Sequence, residues 1–312
     1  MLRIIVRRLL LAIPILLGVT VIVFLLMNVL PGDPTASFVT EDTPPEVKEQ
    51  IRHELGLDKP LPVRYLRWLG DTLSGDLGYS PYRKREVLDL LSQAWSNTAV
   101  LAGASALFGL VGGVVLGFVA GIRRNRLADR LISVFSLTGL SVPSFFLAIV
   151  MLIVFSTRLG WLPTSGTGLD DGTFLKHLIM PMIAGGLATL AITARVTRAS
   201  IIETYSADFV QTLRAKGLGN VQVFRHVFKS AISPVLTTSG LQVGYLLGGS
   251  VLIETIFAWP GMGMLVFNAI SSRDLLVVQG ATLLIALTFV LVNLVVDLVQ
   301  ASIDPRLRRA IA

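Results

Sequence analysis

The sequence predicts an all-α membrane protein with six transmembrane helices, and three observations predict it. Of its 312 residues, 53% are hydrophobic and only 15% charged, against about 25% charged in ordinary globular proteins. The apolar residues fall into six uncharged runs: Leu9–Leu30, Ala99–Ile122, Leu131–Thr157, Leu178–Ala194, Ile232–Ile253 and Leu275–Val296. Each is long enough to cross a bilayer, which takes roughly 17–25 residues, and none keeps the polar face of a soluble core helix. The third observation is the placement of charge. With the N-terminus inside, the inside segments hold 16 Lys/Arg and the two short outside loops only Arg158, Lys176 and Arg273. That asymmetry is the positive-inside pattern, so the net charge of +7 encodes orientation and not a nucleic-acid partner.

Residues 1–30 are read as a cytoplasmic N-terminus and a retained first span, because the 22-residue run Leu9–Leu30 exceeds the core of a cleaved signal peptide. Residues 31–98 form an extracytoplasmic helical segment. Within it Thr43-Pro44-Pro45-Glu46 is a capping box opening a helix that Gly56 ends, and Pro62 to Leu73 is an amphipathic stretch whose Tyr65 and Trp68 suit a bilayer interface. The segment reads equally as a cap lying on the membrane and as a surface for an external partner. Residues 99–301 are the membrane core of five helices, and 302–312 a cytoplasmic tail.

Within the core, Gly109, Gly113, Gly117 and Gly121 form a small-residue row that lets two helix backbones approach closely. Pro143 should kink the third span, and Pro181, near the start of the fourth, should disturb it less. Residues 195–231 are too charged for hydrocarbon and form a cytoplasmic region. There Ser206 is the expected N-cap of a helix, Asp208 supplies negative charge to its first turn, and Arg214, Lys216 and Gly217 close it. Phe209 and Leu213, four apart, make an apolar pair that should not face water. A second short helix is expected at about 221–230.

Chemistry is thin. The sequence contains no cysteine, and its three histidines, His53, His177 and His226, are scattered, which removes thiolate catalysis and the His-Glu-x-x-His zinc motif. There is no Gly-x-Ser-x-Gly and no phosphate-cradling Gly-x-x-x-x-Gly-Lys-Ser/Thr, so an intramembrane enzyme is disfavoured and no nucleotide is hydrolysed here. An ion-driven carrier would bury ionisable groups mid-span, and these spans have none. Gln242 and Asn293 are candidate pathway-lining residues, and with Asn28 and Gln279 they also read as interhelical hydrogen-bonding groups. Glu254, at the outer end of the fifth span, either touches substrate or binds neighbouring backbone amides.

The string Asp208-Phe209-Val210-Gln211-Thr212-Leu213-Arg214-Ala215-Lys216-Gly217, followed by Arg225-His226 and Pro234, resembles the Glu-Ala-Ala-x-x-x-Gly signature of permease subunits in bacterial ABC importers. It is similar to the peptide-importer form of that signature, departing from it at Phe209, Gln211 and Leu213. Pro31-Gly32-Asp33-Pro34, Gly75-Asp76-Leu77-Gly78, Ser141-Val142-Pro143-Ser144-Phe145, Glu254-Thr255-Ile256-Phe257 and Pro260-Gly261-Met262-Gly263 extend the likeness to the B-type dipeptide/oligopeptide permeases along nearly the whole chain. The resemblance implies a type I importer (MetI-like) fold in the bacterial plasma membrane with both termini cytoplasmic. It implies that residues 208–217 dock on an ATPase, that a C-type permease, two ATPase subunits or domains and an extracytoplasmic binding protein are partners, and that ATP and Mg belong to those ATPases, with no cofactor on this chain. Related permeases carry glutathione, nickel chelates, opines or haem, and the sequence does not choose among them.

Overall fold

A computed structural model describes residues 2–29, 44–54, 58–169 and 172–303. Thr43 and Gly56, the expected ends of the first extracytoplasmic helix, lie outside these residues, as does the side chain of Asn28. In chain order the helices are α1 (Leu2–Val29), α2 (Pro45–Glu54), α3 (Leu61–Leu73), α4 (Val87–Ile122), α5 (Leu127–Ser141) and α6 (Ser144–Met151). They continue with α7 (Phe174–Tyr205), α8 (Asp208–Ala215), α9 (Asn220–Ile256), α10 (Met262–Ser271) and α11 (Leu275–Ile303). A two-stranded hairpin, β1 (Tyr79–Ser80) and β2 (Arg85–Glu86), pairs antiparallel ahead of α4. Among the described residues four helices are long and apolar enough to cross a membrane, or five if the bent pair α5 and α6 counts as one. The remaining expected run, 232–253, is the middle of α9.

α4 and α7 form the centre, packed side by side through the glycine row. A Cβ on Gly113 would lie 2.6 Å from Thr193 Cβ, and one on Gly117 2.7 Å from Thr197 Cβ. Real side chains cannot come so close, so only glycine permits this crossing. Gly117→Ala is therefore expected to destabilise the protein by about 1–3 kcal/mol through overpacking, read as a lower thermal midpoint in detergent. Gly103→Ala, where a Cβ meets nothing within 4 Å, should leave the midpoint in place.

Three clusters fasten the other helices to this pair. At one end Leu91 of α4, Leu265 of α10 and Val277 of α11 pack together. A second cluster joins Leu101, Met180, Phe257 and Trp259. The third, at the opposite end, joins Ile201 of α7, Val210 of α8 and Val223 and Val227 of α9. α1 lies on α11, where Arg8 Nε meets Asp297 Oδ2 at 2.9 Å. α3 rests on the far end of α1: the Thr20 and Tyr65 hydroxyls are 2.8 Å apart, and Phe24 packs on the Tyr65 and Trp68 rings. No α3 residue is buried, as an amphipathic helix lying on a surface requires.

Three expectations are corrected. The third apolar run is not one kinked helix. α5 stops at Ser141, Val142 and Pro143 are extended, and the unit that begins with α6 and ends in a π-helical stretch, Leu152–Arg158, leaves at 101°. The residue before a proline is driven out of the helical region and Pro143 has no N–H to donate, so the chain restarts rather than bends. The short helix at 221–230 is not separate. It is the first part of α9, which runs unbroken through Pro234 and is about 55 Å long at 1.5 Å per residue. Finally, α4 begins at Val87, so the boundary expected at 98/99 falls inside one helix.

Candidate functional site

α8 is built by local signals at both ends. Ser206 is not its N-cap. It closes α7 instead, its amide donating to Ile202 and Glu203 and its hydroxyl to Ile202 O at 3.0 Å. A serine directly after a helical run satisfies that helix's last carbonyls as readily as it caps the next one. Extended Ala207 takes the N-cap position, and Asp208 lies in the first turn, where the helix dipole favours an anion. At the other end Gly217 has φ +79. Gly217 N–H donates to Arg214 O and Leu218 N–H to Leu213 O, which is a Schellman closure. One residue on, α9 starts at Asn220, and Gln222 Oε1 accepts from Gly219 N–H at 3.2 Å.

Packing then sorts the faces. Val210 is 1% exposed, seated against Ile201, Val223 and Val227, and Leu213 is half-buried beside it. Phe209 is 40% exposed. The pair read together from its spacing is thus divided: Leu213 anchors α8 and Phe209 stands on the outer face with Asp208, Gln211, Thr212, Arg214, Ala215, Lys216 and Gly217. The base of the module is tied further. Ser200 Oγ donates to Ala231 O at 2.8 Å, joining α7 to α9, and Arg198 grips Asp129 at the start of α5. α8 is a short rigid bar between two long helices, with an aromatic ring exposed on its free side.

At the opposite end of α9, Glu254 is wholly buried. Its Oε1 accepts from Thr98 Oγ1 at 2.7 Å, and its Oε2 from Gly263 N–H at 2.7 Å and Met264 N–H at 3.1 Å. Thr98 Oγ1 in turn accepts from Met262 N–H at 2.7 Å. The alternative left open by the sequence is thereby decided: Glu254 binds neighbouring amides, capping α10 and locking it to α4. Trp259 Nε1 donates to Asn97 O beside it at 2.9 Å.

Gln242 lines a cavity of about 150 Å³ between α4, α7 and α9, with Ser105, Ser144 and Thr189. A larger cavity of about 280 Å³, lined by Trp95, Ala102, Ser250 and Thr288, lies across α4 and α9 from it. Asn293 is on neither lining, and its amide donates to Phe289 O of its own helix at 2.8 Å, not to another helix. Gln279 is buried. Asp129 had no place in the sequence reading, although an acid heading an apolar run among four arginines was a visible signal.

Long apolar helices locked by glycines, with a capped bar slung between two of them at one end, define a class: a multi-span helical membrane protein. Comparison with known proteins supplies the particular family. Residues 113–309 match the binding-protein-dependent transport system inner membrane component and residues 1–102 the N-terminal part of such membrane components. The chain belongs to this family, and it is therefore an ABC importer permease of the inner membrane and not an enzyme. It is 40% identical over 309 residues to the glutathione transport system permease protein GsiC of Escherichia coli O6:H1, covering 99% of both chains. It is 40% identical, with the same coverage, to the protein of that name from Pectobacterium atrosepticum, and 39% identical to that of Escherichia coli K12. Among solved structures, an inward-facing MetNI methionine ABC transporter matches with a TM-score of 0.54 at 16% identity, covering 69% of this chain and 96% of the other. That likeness bears on the fold alone.

Proposed function

We propose that this chain is the B-type permease subunit of an importer for small peptides, with α8 as the helix that docks on a cytoplasmic ATPase. The observation that carries this reading is the geometry of α8. Val210 and Leu213 bind the helix to α7 and α9, while residues 208–217 otherwise present an exposed, mixed-charge face with Phe209 at its head. A bar held that way passes a push on its outer face to two long helices as a rigid-body movement. In this reading the six apolar runs are spans with both termini cytoplasmic, 31–98 is extracytoplasmic, and 195–231 holds the coupling region. A C-type permease completes the pathway, two ATPase subunits or domains supply ATP and Mg, and a binding protein delivers cargo from outside. Gln242 lines the pathway from its cavity, and Asn293, half-buried on α11, lines it toward the second permease.

Peptide is the cargo class that the B-type motifs favour. The names of the relatives favour one cargo in particular, glutathione, itself a small peptide. The deciding experiment reconstitutes this chain in proteoliposomes with its second permease, ATPase subunits and binding protein. ATP-dependent uptake of labelled dialanine or glutathione is the expected result, and the faster of the two identifies the cargo. Uptake of neither would overturn the peptide assignment, and uptake without nucleotide would overturn the ATP-driven mechanism.

A further inference from the structure

Of all the membrane-core helices, α5 is held most lightly. Of its fifteen residues only Asp129, Ser136 and Gly139 are buried, one stripe facing α7, while Leu131, Val134, Phe135, Leu137 and Leu140 remain exposed. Gly139 supplies the contact at its far end, where a Cβ would touch Leu187 and Ala191 at 3.4 and 3.6 Å. At its near end the fastening is ionic. Arg198 of α7 donates to Asp129 through Nε at 2.5 Å and Nη2 at 3.0 Å, a two-pronged pair with a carboxylate only 3% exposed. Asp129 also accepts from Asn125 N–H at 2.9 Å and lies 3.4 Å from the Ser133 hydroxyl. It thereby binds the tight α4–α5 turn, where Asn125 has φ +63, to the same guanidinium. A forked arginine–carboxylate pair holds direction as well as distance, which a single apolar contact does not.

We propose that the Asp129–Arg198 clasp is a positioning pair that carries displacement of α8 into α5. Arg198 lies two turns before the end of α7, the helix that leads into α8 and packs on it through Ile201, so α7 moves when α8 is pushed. α4 follows through its glycine contacts. α5, with so little packing, follows α7 because Asp129 is gripped. Beyond α5 the chain turns through 101° at Val142–Pro143, and that break is the joint at which the motion of α5 is taken up before α6. The inference rests on α8 being the docking helix, and its test separates the two.

The sequence has no cysteine, so spin labels placed at Arg130→Cys on α5 and Glu203→Cys on α7 before assembly with unlabelled partner subunits report one distance in the assembled transporter. In the otherwise unmodified complex that distance should stay constant between nucleotide-free and ATP-bound states, because the helices move together. Asp129→Asn should keep the ATPase subunits bound and hydrolysing, broaden the α5–α7 distance once ATP binds, and lower uptake per ATP about tenfold, a size typical of lost coupling between two sites. Arg198→Lys, which keeps the charge without the fork, should fall between the two, and it carries the same comparison if Asp129→Asn does not accumulate. A sharp, unchanged distance with unchanged uptake per ATP in both variants would overturn the clasp. If ATPase binding instead proves indifferent to Phe209, the docking assignment fails, and the spin-label result still reports on the clasp.

Discussion

Phe209→Asp is expected to weaken ATPase binding to the assembled permease by about 30-fold, the loss that follows when an aromatic anchor worth ~2 kcal/mol is removed from an interface. Phe209 is 40% exposed on a helix whose other large apolar residues, Val210 and Leu213, turn inward, so it is the one large apolar group α8 presents to a partner. Leu213→Asp should behave differently. It places a charge against the cluster of Val210, Val223 and Val227, unseats α8 and lowers the thermal midpoint of the permease itself. Phe209→Asp should leave that midpoint unchanged. Co-purification of the ATPase subunits, titrated in detergent and paired with thermal unfolding, separates a lost contact from a lost fold. Full ATPase retention in Phe209→Asp would show that α8 is not the docking element.

Glu254→Ala carries the other large effect, and it falls on stability. The carboxylate takes hydrogen bonds from Thr98, Gly263 and Met264 in a site with no solvent exposure. Each donor left without a partner costs about 1–3 kcal/mol, so three together cost at least about 3 kcal/mol. The stretch of α4 around Thr98, the start of α10 and the end of α9 should separate together, with Trp259, packed beside them, reporting the change in its fluorescence. Glu254→Gln keeps one oxygen but turns an NH₂ toward groups that donate, and it should lie between wild type and alanine. Thr98→Val, which removes one donor to Glu254 and the acceptor for Met262 N–H, should cost about 1–3 kcal/mol. A Glu254→Ala protein that melts like the wild type would remove Glu254 from the structural role described here.

How much of this was legible beforehand depends on how far apart the interacting residues lie. The Asp208 start and Gly217 closure of α8 are signals contained within ten residues, and the structure keeps both. The glycine row of α4 announced a close helix contact, although not that α7 fills it. Ser206 misled because one hydroxyl can serve the helix behind it as well as the one ahead. Phe209 and Leu213 misled because spacing of four says that two side chains share a helix face, whereas here the neighbours α7 and α9 cover one and leave the other. The third run looked continuous because hydropathy records no backbone dihedral.

Composition, run length and charge placement by themselves determined a helical, multi-span membrane protein, and short motifs determined its resemblance to importer permeases. Both rest on a solvent preference or on a few adjacent residues. Only the tertiary structure decided which face of α8 is free, that Glu254 is a buried cap for α10, and that Asp129 grips α7. Glu254 meets Thr98 across 156 residues and Asp129 meets Arg198 across 69. A hydrogen bond acts over about 3 Å of space, and distance in space between such residues is set by how the helices pack, not by the order in which the chain lists them.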